Sequence, residues 1–465
     1  MWAVEKDPAL RSDFCNLTFL DRRPTDERLH ETLQRALESI PRLRQRVIGA
    51  PMRIVPPEFA DDPTLDLDAH VRVVAVPAPG DDRAVLDLCG TLAERPLDRA
   101  RPLWEFTMIE GLPDGRAVLV QKIHHTITDG VGGLKLSLAL VDFERDPEPT
   151  TDDHPADDGI TDAGDDAGDT TEPSGPDAAT TALSVARDAV VDAAQRSLGA
   201  VWRTVGTAGH VVTHPSEVPG RAGDAARMLS SLQRQALLTD SARSDVMVDR
   251  SLRRHFEIHE IPFEPLRAAA TKLGGSVNDV FVTGLASALG RYHERAESGI
   301  DQLRVAMPIN TRRSGDTSST NSFVPARVLV PIQPAHDLYA LFDEVHERLH
   351  FAKEESALTA AEGLAGVISG LPTAVLVTMT RSQTRTIDFG ASNLRGSPVP
   401  LYLAGTRILG SYPMGPRSGC ALTVTMLSYC DEVHLGLNID PAAIVDVDAF
   451  MDDVRDAYAE LCSFA

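Results

Sequence analysis

The sequence has few cysteines, few aromatic residues and little positive charge. Its 465 residues include five cysteines, an odd number, widely spaced and without a CxxC pair: Cys15, Cys89, Cys420, Cys430 and Cys462. This spacing predicts reduced core cysteines of a cytoplasmic protein and argues against a disulfide framework or a cysteine zinc site. The net charge of −23 leaves no basic stripe to neutralise phosphates, so we expect no nucleic-acid partner.

Long apolar runs are also scarce. The N-terminal stretch MWAVEKDPALRSD carries charges where a secretion signal needs an apolar centre. The uncharged residues 363–380 contain three glycines, a proline, a serine and three threonines, whereas a membrane-spanning helix needs about 20 predominantly apolar residues. We predict a buried or interfacial helix pair interrupted at Pro372, and peripheral contact with a lipid surface stays open.

Much of the acidic excess lies in one segment. Residues 144–177 contain thirteen acidic residues and one basic residue, Arg145. Because residues 144–181 offer almost no large apolar side chains to bury, we predict an acidic disordered linker there. Helical patterns in residues 182–250 predict a helical crossover after the linker.

Two flanking blocks, residues 1–143 and 251–465, alternate helical and strand patterns, which predicts two comparable α/β domains. In the first block we expect a helix at DERLHETLQRALESI and strands at DAHVRVVAVP, WEFTMIEGL and RAVLVQKI. In the second block we expect helices at IPFEPLRAAATKLGG and SVNDVFVTGLASALGRYH, a strand at DQLRVAMPINTR, a hairpin at CALTVTMLSYCDEVHLGLNID and a final helix from Asp446 to about Cys462.

The stretch QKIHHTITDGVGG, residues 121–133, contains the candidate catalytic residues of this sequence. Adjacent strand residues point to opposite faces, so His124 and His125 cannot easily share one metal ion, and we expect no metal. The nearest approach to GxSxG, GASNL at 390–394, lacks the final glycine, and the sequence has neither GxxxxGK nor a GxGxxG after a strand. The remaining chemical role is that of a general base.

A neutral histidine can take a proton from a bound hydroxyl, which typically contributes about 10² to 10⁴ in rate. The glycines that follow would let the main chain turn tightly and approach a ligand. On the residues alone, the competing interpretation is a pair of buried histidines before a glycine turn.

HHTITDG, residues 124–130, fits the HHxxxDG motif of the CoA- and carrier-dependent acyltransferases, which include chloramphenicol acetyltransferases and peptide-synthetase condensation domains. The surrounding sequence most resembles the bacterial wax ester synthase/diacylglycerol acyltransferase family. The resemblance covers nearly the whole chain outside the acidic linker. Further matching stretches are PRLRQRV (41–47), RPLWEFTMIEGL (101–112), SVNDVFVTGLASAL (276–289), MPINTR (307–312), SNLRGSP (392–398) and LNID (437–440).

The resemblance implies two chloramphenicol-acetyltransferase-like α/β domains with a substrate tunnel at their junction. It also implies a long-chain acyl-CoA-dependent O-acyltransferase that forms triacylglycerol from diacylglycerol, or wax esters from fatty alcohols. Acyl-CoA would be a co-substrate, with no permanently bound cofactor. The protein would be cytoplasmic, with peripheral association at the inner membrane face or at lipid droplets as an open expectation.

The same resemblance implies roles for the motif residues. His125 would be the general base that deprotonates the acceptor hydroxyl, and His124 would point away from the tunnel and support the loop. Asp129 would be structural, paired with Arg312, and Gly130 would permit the turn.

Further residues are implied to line or support the site. Asn278 and Asp279 would lie at a helix start, where Asn278 donates to the oxyanion or orients substrate. The alternative for Asn278 is a helix N-cap. Ser392 and Asn393 would cap main-chain groups near the tunnel.

Pro102, Leu103 and Trp104 match the family's PLW motif and would support the site or form a wall of the acyl channel. The alternative for Trp104 is a core residue. Two features depart from the family pattern: the chain starts close to MWAVEKDP, and the acidic insert is unusually long.

Two other functions are compatible with the sequence. One is a related acyltransferase that uses another hydroxyl or an amine as acceptor. The other is a non-enzymatic protein that binds lipid or coats lipid droplets.

Overall fold

The computed structural model describes residues 4–49, 57–127, 136, 139–147, 242–310, 323–332, 337–359 and 373–465. Nearly all of them belong to one compact unit, residues 1–46, 61–145 and 229–465. The predicted acidic linker and the predicted helical crossover lie almost entirely outside the described residues.

The described elements include both strands and α-helices. The strands are Asp13–Leu20 (β1), Gln45–Ile48 (β2), Glu58–Asp61 (β3), Val71–Ala75 (β4), Trp104–Glu110 (β5), Ala117–His124 (β6), His255–Pro262 (β7), Gln302–Asn310 (β8), Phe323–Pro331 (β9), Phe389–Arg395 (β10), Tyr402–Leu403 (β11), Thr406–Met414 (β12), Leu422–Tyr429 (β13) and Glu432–Ile439 (β14). The α-helices are Asp26–Ser39 (α1), Asp82–Glu94 (α2), Phe263–Lys272 (α3), Val277–Arg295 (α4), Leu338–Thr359 (α5), Thr373–Thr384 (α6) and Val447–Cys462 (α7).

The first sheet has six strands in the order β11-β12-β1-β6-β5-β4. Its two central strands, β1 and β6, run antiparallel, with Asp13 opposite His124 at one end and Leu20 opposite Ala117 at the other. β1 also pairs antiparallel with β12. The sheet therefore combines strands of the first predicted block with two strands, β11 and β12, of the second.

The second sheet also has six strands, in the order β7-β14-β13-β10-β8-β9. β10 lies parallel to both β13 and β8, whereas the other neighbouring strands are antiparallel. All six strands come from the second predicted block. The fold class of the chain is thus mixed α/β with two sheets, as predicted.

Helix α4 is the central element of the larger core. All its residues from Asp279 to Gly290 are buried, as expected of a helix surrounded by other elements. Its apolar side chains share one cluster with α3, α5, α7 and the second sheet. The cap explains where the helix begins, because Ser276 and Asp279 form a capping box around its first turn.

A smaller core lies on the first sheet. Side chains of α2, including Val85 and Cys89, pack against β1 and β6, and Phe256 of β7 belongs to the same cluster. α2 comes very close to the chain before β7, because a Cβ at Gly90 would lie 2.6 Å from the Arg254 carbonyl oxygen. Gly90 therefore allows one helix to contact both sheets.

The strand and helix predictions for described residues are confirmed. β6 ends at His124, and the last hairpin, β13–β14, turns through Cys430 in a left-handed conformation (φ 52°). The final helix is capped by Asp446 and ends at Cys462. Pro372 lies outside the described residues, and the helix after it is α6. The described helices include none that is long and apolar enough to cross a membrane.

All five cysteines are free thiols, as predicted. Cys15, Cys89 and Cys420 are buried, and Cys430 and Cys462 are partly exposed. Burial raises the pKa of Cys15 to about 11 and that of Cys420 to about 12. Because the thiolate is the reactive form, these buried thiols are poor nucleophiles.

We predict that Gly284→Ala destabilises the fold by about 1 to 3 kcal/mol, although alanine is the better helix former. A methyl group at Gly284 would lie 2.6 Å from Cζ of Tyr458, which is buried and donates a hydrogen bond to the Phe281 carbonyl (2.7 Å). Urea unfolding should show a lower midpoint. Gly299→Ala is the matched control, because nothing lies within 4 Å of a Cβ there. Equal midpoints for the two variants would contradict this packing.

Candidate active site

The histidine pair lies at the end of β6, and three main-chain hydrogen bonds hold it. The N–H of His124 donates to the Leu103 carbonyl (3.0 Å), and the N–H of His125 donates to the Ser12 carbonyl (3.2 Å). Ile127 N–H donates to the His124 carbonyl (2.9 Å) and closes a turn. The structure thus brings the predicted PLW segment to the histidines, through the Leu103 main chain.

The His124 ring is buried, and both its nitrogens are engaged. Nε2 lies 2.7 Å from Oε1 of Glu5, and Nδ1 lies 2.7 Å from Oγ1 of Thr126. The Thr126 main-chain N–H also donates to Nδ1 (3.1 Å), so Nδ1 is an acceptor and the neutral ring carries its proton on Nε2, facing the carboxylate. His124 therefore anchors the turn, in agreement with the supporting role expected for it.

Glu5 is the buried partner that sequence reasoning missed. Its carboxylate accepts hydrogen bonds from Nε2 of His124 and from the Ser12 main-chain N–H (3.1 Å), and it pairs with Arg99 (2.9 Å). Burial alone would raise its pKa, but the contact with His124 and the Ser12 hydrogen bonds outweigh burial and lower the pKa to about 2. An isolated glutamate near a chain start gives no sequence signal of such a partner.

His125 is the more exposed member of the pair. Its ring is tilted against Phe14, with ring centroids 4.8 Å apart. It is only partly buried, whereas His124 is fully buried. Phe14 of β1 and Ser12, which directly precedes β1, therefore position one ring face and the main chain of His125.

Trp104 is a core residue, the alternative to a place in the wall of the acyl channel. It is 2% exposed, and its indole N–H donates to the Leu43 carbonyl (2.9 Å). Its ring stacks on His70 at 4.4 Å, and His70 Nδ1 lies 2.8 Å from the Trp104 carbonyl. Leu103 is also buried, as is Pro102, so these three side chains support β5 and the adjacent end of β6.

A second group of predicted residues meets where α4 begins. Nδ2 of Asn393, near the end of β10, donates to Oδ1 of Asn278 (3.4 Å), and both side chains are at least partly accessible. Asn278 is not the helix cap, because Ser276 takes that position and its hydroxyl accepts the Asp279 N–H. The alternative of a capping role for Asn278 is therefore wrong, and its side chain is available for other contacts.

Asp279 is buried, and its contacts are structural. Oδ2 accepts from the main-chain N–H and the hydroxyl of Ser276, both at 2.8 Å, and lies 3.0 Å from Nδ1 of His346 on α5. Ser392 lies one residue before Asn393, opposite Thr425 in the parallel pair β10–β13. His346 is a further partner that the sequence pattern did not reveal.

Asp129, Gly130 and Arg312 lie outside the described residues. The expected pairing of Asp129 with Arg312 therefore stays a prediction, as does the turn role of Gly130.

One set of three close ligand-type side chains occurs among the described residues: Glu260, Glu432 and His434. Nδ1 of His434 accepts the Ser411 main-chain N–H (3.2 Å), so a neutral ring carries its proton on Nε2, 3.2 Å from Oε2 of Glu432. A metal ligand must present an unprotonated nitrogen. The arrangement therefore favours a hydrogen-bonded pair over a metal centre.

We predict that Glu5→Gln lowers the free energy of unfolding by about 2 to 3 kcal/mol at pH 7. The pKa of Glu5 in the fold, about 2, is below its ordinary 4.5. Its stabilising contribution is therefore complete above about pH 4.5 and is lost as pH falls toward 2. Urea unfolding at pH 7 and pH 3 should show that the difference from the unsubstituted protein narrows in acid.

Glu31→Gln, at an exposed position on α1, is the matched control and should change stability little at either pH. A Glu5→Gln deficit that is the same at pH 7 and pH 3 would contradict the assigned role of the Glu5 carboxylate.

Two family descriptions match this chain. The wax ester synthase/diacylglycerol acyltransferase catalytic domain matches residues 14–281, and the WS/DGAT C-terminal domain matches residues 320–462. A Mycobacterium tuberculosis protein provisionally named as a diacylglycerol O-acyltransferase is 33% identical over 463 residues, covering 99% of this chain and 90% of its own. Another from that organism, provisionally named diacylglycerol O-acyltransferase tgs1, is 27% identical over 452 residues, covering 95% of this chain and 89% of its own.

Solved structures share the fold. The wax ester synthase/diacylglycerol acyltransferase from Marinobacter aquaeolei VT8 matches with a TM-score of 0.59 at 20% identity, over 97% of this chain and 94% of its own. A starter condensation domain of rhizomide synthetase, in complex with C8-CoA and Leu-SNAC, matches with a TM-score of 0.53 at 13% identity, over 100% of this chain and 92% of its own. The chain belongs to the wax ester synthase/diacylglycerol acyltransferase family of acyltransferases.

Proposed function

We propose that this protein is a long-chain acyl-CoA-dependent O-acyltransferase that forms triacylglycerol from diacylglycerol, or wax esters from fatty alcohols. The acceptor hydroxyl attacks the thioester carbonyl while His125 takes its proton. A C–O bond forms, the C–S bond breaks, and the proton passes from His125 to the departing CoA thiolate. The products are the ester and free CoA, and no acyl-enzyme is needed.

The different environments of the two histidines are the observation that carries this proposal. His124 has both ring nitrogens engaged by Glu5 and Thr126, and its ring is buried. His125 is partly exposed, while its main chain is tied to Ser12 and one side of its ring lies against Phe14. A general base needs both a fixed ring and access to its substrate, and His125 is the member of the pair with that access.

The names of similar proteins support the donor and acceptor classes. The Mycobacterium tuberculosis relatives are named for diacylglycerol as acceptor, and the Marinobacter aquaeolei VT8 protein is named for both wax ester and triacylglycerol chemistry. The related condensation domain holds C8-CoA, an acyl-CoA-type ligand. An acyl-CoA donor and an apolar hydroxyl acceptor are the simplest assignment consistent with these names.

The proposal gives the remaining site residues defined tasks. Asn278 orients substrate or donates to the oxyanion, and its contact with Asn393 restrains its amide. Asp129 and Arg312 stabilise the loop after the histidines, and Gly130 permits its turn.

We also propose that residues 1–143 and 251–465 form two acyltransferase-like domains with a tunnel at their junction. The two separate sheets support this division, although β11 and β12 join the first sheet. Because diacylglycerol and fatty alcohols partition into lipid, the protein would work at the inner membrane face or at a lipid-droplet surface.

We predict that His125→Ala reduces acyl transfer by at least about 10². The variant should fold normally, because an alanine at position 125 keeps the main-chain N–H that donates to the Ser12 carbonyl. Thiol release from palmitoyl-CoA should be measured with hexadecanol, with dioleoylglycerol and without acceptor.

His30→Ala is the matched control, since His30 is exposed on α1. Release that depends on an acceptor and disappears only in the His125 variant would support the proposal and rank the two acceptors. Full turnover in a folded His125→Ala protein would refute the base. Release without ester formation would refute the acyl transfer, and lipid binding without release would indicate a non-enzymatic lipid-binding protein.

Because the base must be neutral to accept a proton, we predict that kcat/KM falls on the acid side, in the range around pH 6 to 7 where histidines ordinarily titrate. The loss should approach tenfold per pH unit at the acid end. Glu5 remains ionised in this range, because its pKa of about 2 lies far below it, so the acid limb should not reflect protonation of Glu5. A flat profile down to pH 5 with chemistry rate-limiting would argue against His125 as base.

A further inference from the structure

A cavity of about 40 Å³ lies beside the segment that precedes β1. It has room for about three water molecules, since one needs about 10–15 Å³. Its charged lining is unusual for a chain with a net charge of −23. Four arginines line the cavity, Arg11, Arg250, Arg254 and Arg417, together with a single carboxylate, Asp440.

Main-chain carbonyls hold three of these guanidinium groups in place. Nη1 of Arg11 donates to the Glu94 carbonyl (2.8 Å), Nε of Arg250 donates to the Gly419 carbonyl (2.9 Å), and Nη2 of Arg417 donates to the Arg253 carbonyl (2.7 Å). An arginine has five N–H donors in a rigid fork. These contacts orient each fork and use only part of its donors.

Several donors have no protein acceptor within the part of the chain that the structure describes. Nη2 of Arg11 and Nη2 of Arg250 make no hydrogen bond there, and the buried Nη1 of Arg254 also has none. A buried charged donor without an acceptor is costly. In a native fold, a water or an ion is expected to accept the hydrogen bond of such a group.

The positive charges of the cavity are only partly balanced. Arg254 pairs with Asp13 (3.1 Å) and Arg417 with Asp440 (2.5 Å), whereas the contacts of Arg11 and Arg250 among described residues are to carbonyl oxygens. Burial lowers the pKa of Arg417; Asp440 opposes that shift, and Arg254 and Arg250 add to it. The arginines thus repel one another. Arg11 and Arg250 form no direct ion pair among the described residues, although the carboxylates of Asp13, Glu5 and Glu94 act on Arg11 from a greater distance.

We propose that this cavity binds a phosphate group, supplied either by CoA or by an anionic lipid headgroup. Guanidinium donors without a protein acceptor favour an anion, and guanidinium forks match the geometry of phosphate oxygens. The cavity volume is suited to one such group and is too small for a whole substrate. Its role in catalysis rests on the acyl-CoA chemistry proposed above, but its affinity for phosphate does not.

The chain connects this cavity to the candidate base. Arg11 lines the cavity, Ser12 accepts the His125 N–H, and Phe14 contacts the His125 ring. Arg11 and Phe14 are three residues apart, about 10 Å along extended chain, so the cavity and the His125 contacts share one short segment. A bound phosphate would therefore restrain the same segment that positions His125.

Calorimetric titration of the full chain with inorganic pyrophosphate, CoA and dephospho-CoA tests the site. Flotation with phosphatidylcholine vesicles, with and without phosphatidic acid, tests the lipid source. We expect saturable binding that weakens at least tenfold in Arg11→Gln and in Arg250→Gln. Tighter binding of CoA than of dephospho-CoA would identify the 3′-phosphate as the group bound, whereas flotation that depends on phosphatidic acid and on Arg250 would identify the headgroup.

Arg22→Gln is the matched control, because Arg22 is exposed and also donates to a carbonyl, that of Gly405 (3.4 Å), away from the cavity. Arg11→Lys and Arg250→Lys keep the charge and should lose less affinity than the glutamine variants. Circular dichroism melting checks that each variant is folded, so the lysine pair still tests the site if a glutamine variant unfolds.

Absence of saturable binding of every phosphate probe to the folded protein would overturn the proposal. Unchanged affinity in both folded glutamine variants would do the same. Acceptor-dependent thiol release in that case would leave the proposed function standing. Arginine-dependent phosphate binding without any acyl transfer would support the phosphate site and refute the proposed function.

Discussion

The antiparallel pairing of β1 with β6 is the constraint on which the candidate site depends. It sets Asp13 opposite His124, and so places the residues on either side of Asp13 against the histidine turn. The Ser12 carbonyl then holds the His125 main chain and the Phe14 ring contacts its imidazole, while Glu5, a few residues earlier, reaches the His124 ring. A one-residue slip in this register would turn every side chain of β6 to the opposite face of the sheet and move both imidazoles.

The two histidines lie in different surroundings, which fit them for different roles. His124 lies in a closed network with a carboxylate and a threonine, which leaves neither nitrogen available for substrate. The low pKa of Glu5, about 2, keeps its carboxylate ionised well below neutral pH. The carboxylate that holds the His124 ring therefore keeps its charge across the range in which histidines ordinarily titrate.

The distribution of charge is the second feature that relates the two sheets to the candidate site. The chain is strongly acidic, yet four arginines surround one cavity next to β1. Asp13 pairs with Arg254, which directly precedes β7, so the same residue that faces His124 in the register also ties the first sheet to the second. Anionic substrate groups are repelled by the overall charge, and a local positive cavity offers them a defined position.

The sequence by itself determined the α/β class, a set of elements that includes β6, α4 and α7, and the motif residues. Apolar periodicity is a local property. It predicted β6, α4 and the C-terminal hairpin because the buried residues of each element recur at short spacing within one stretch of sequence. The resemblance through HHTITDG and PLW likewise identified the family, and it made His125 the candidate base, without any three-dimensional information. Trp104 and Asn278 were identified as well, but with alternatives that periodicity could not decide between.

Only the tertiary structure decided which distant residues meet. Glu5 and His124 are 119 positions apart, and Asn278 and Asn393 are 115 apart. It also showed that β12 joins the first sheet, that Ser276 and not Asn278 caps α4, and that four scattered arginines share one cavity. These facts depend on strand order and on hydrogen bonds between remote segments, and a single chain carries no local pattern for either, because the partner of a buried polar group is chosen by the packing around it.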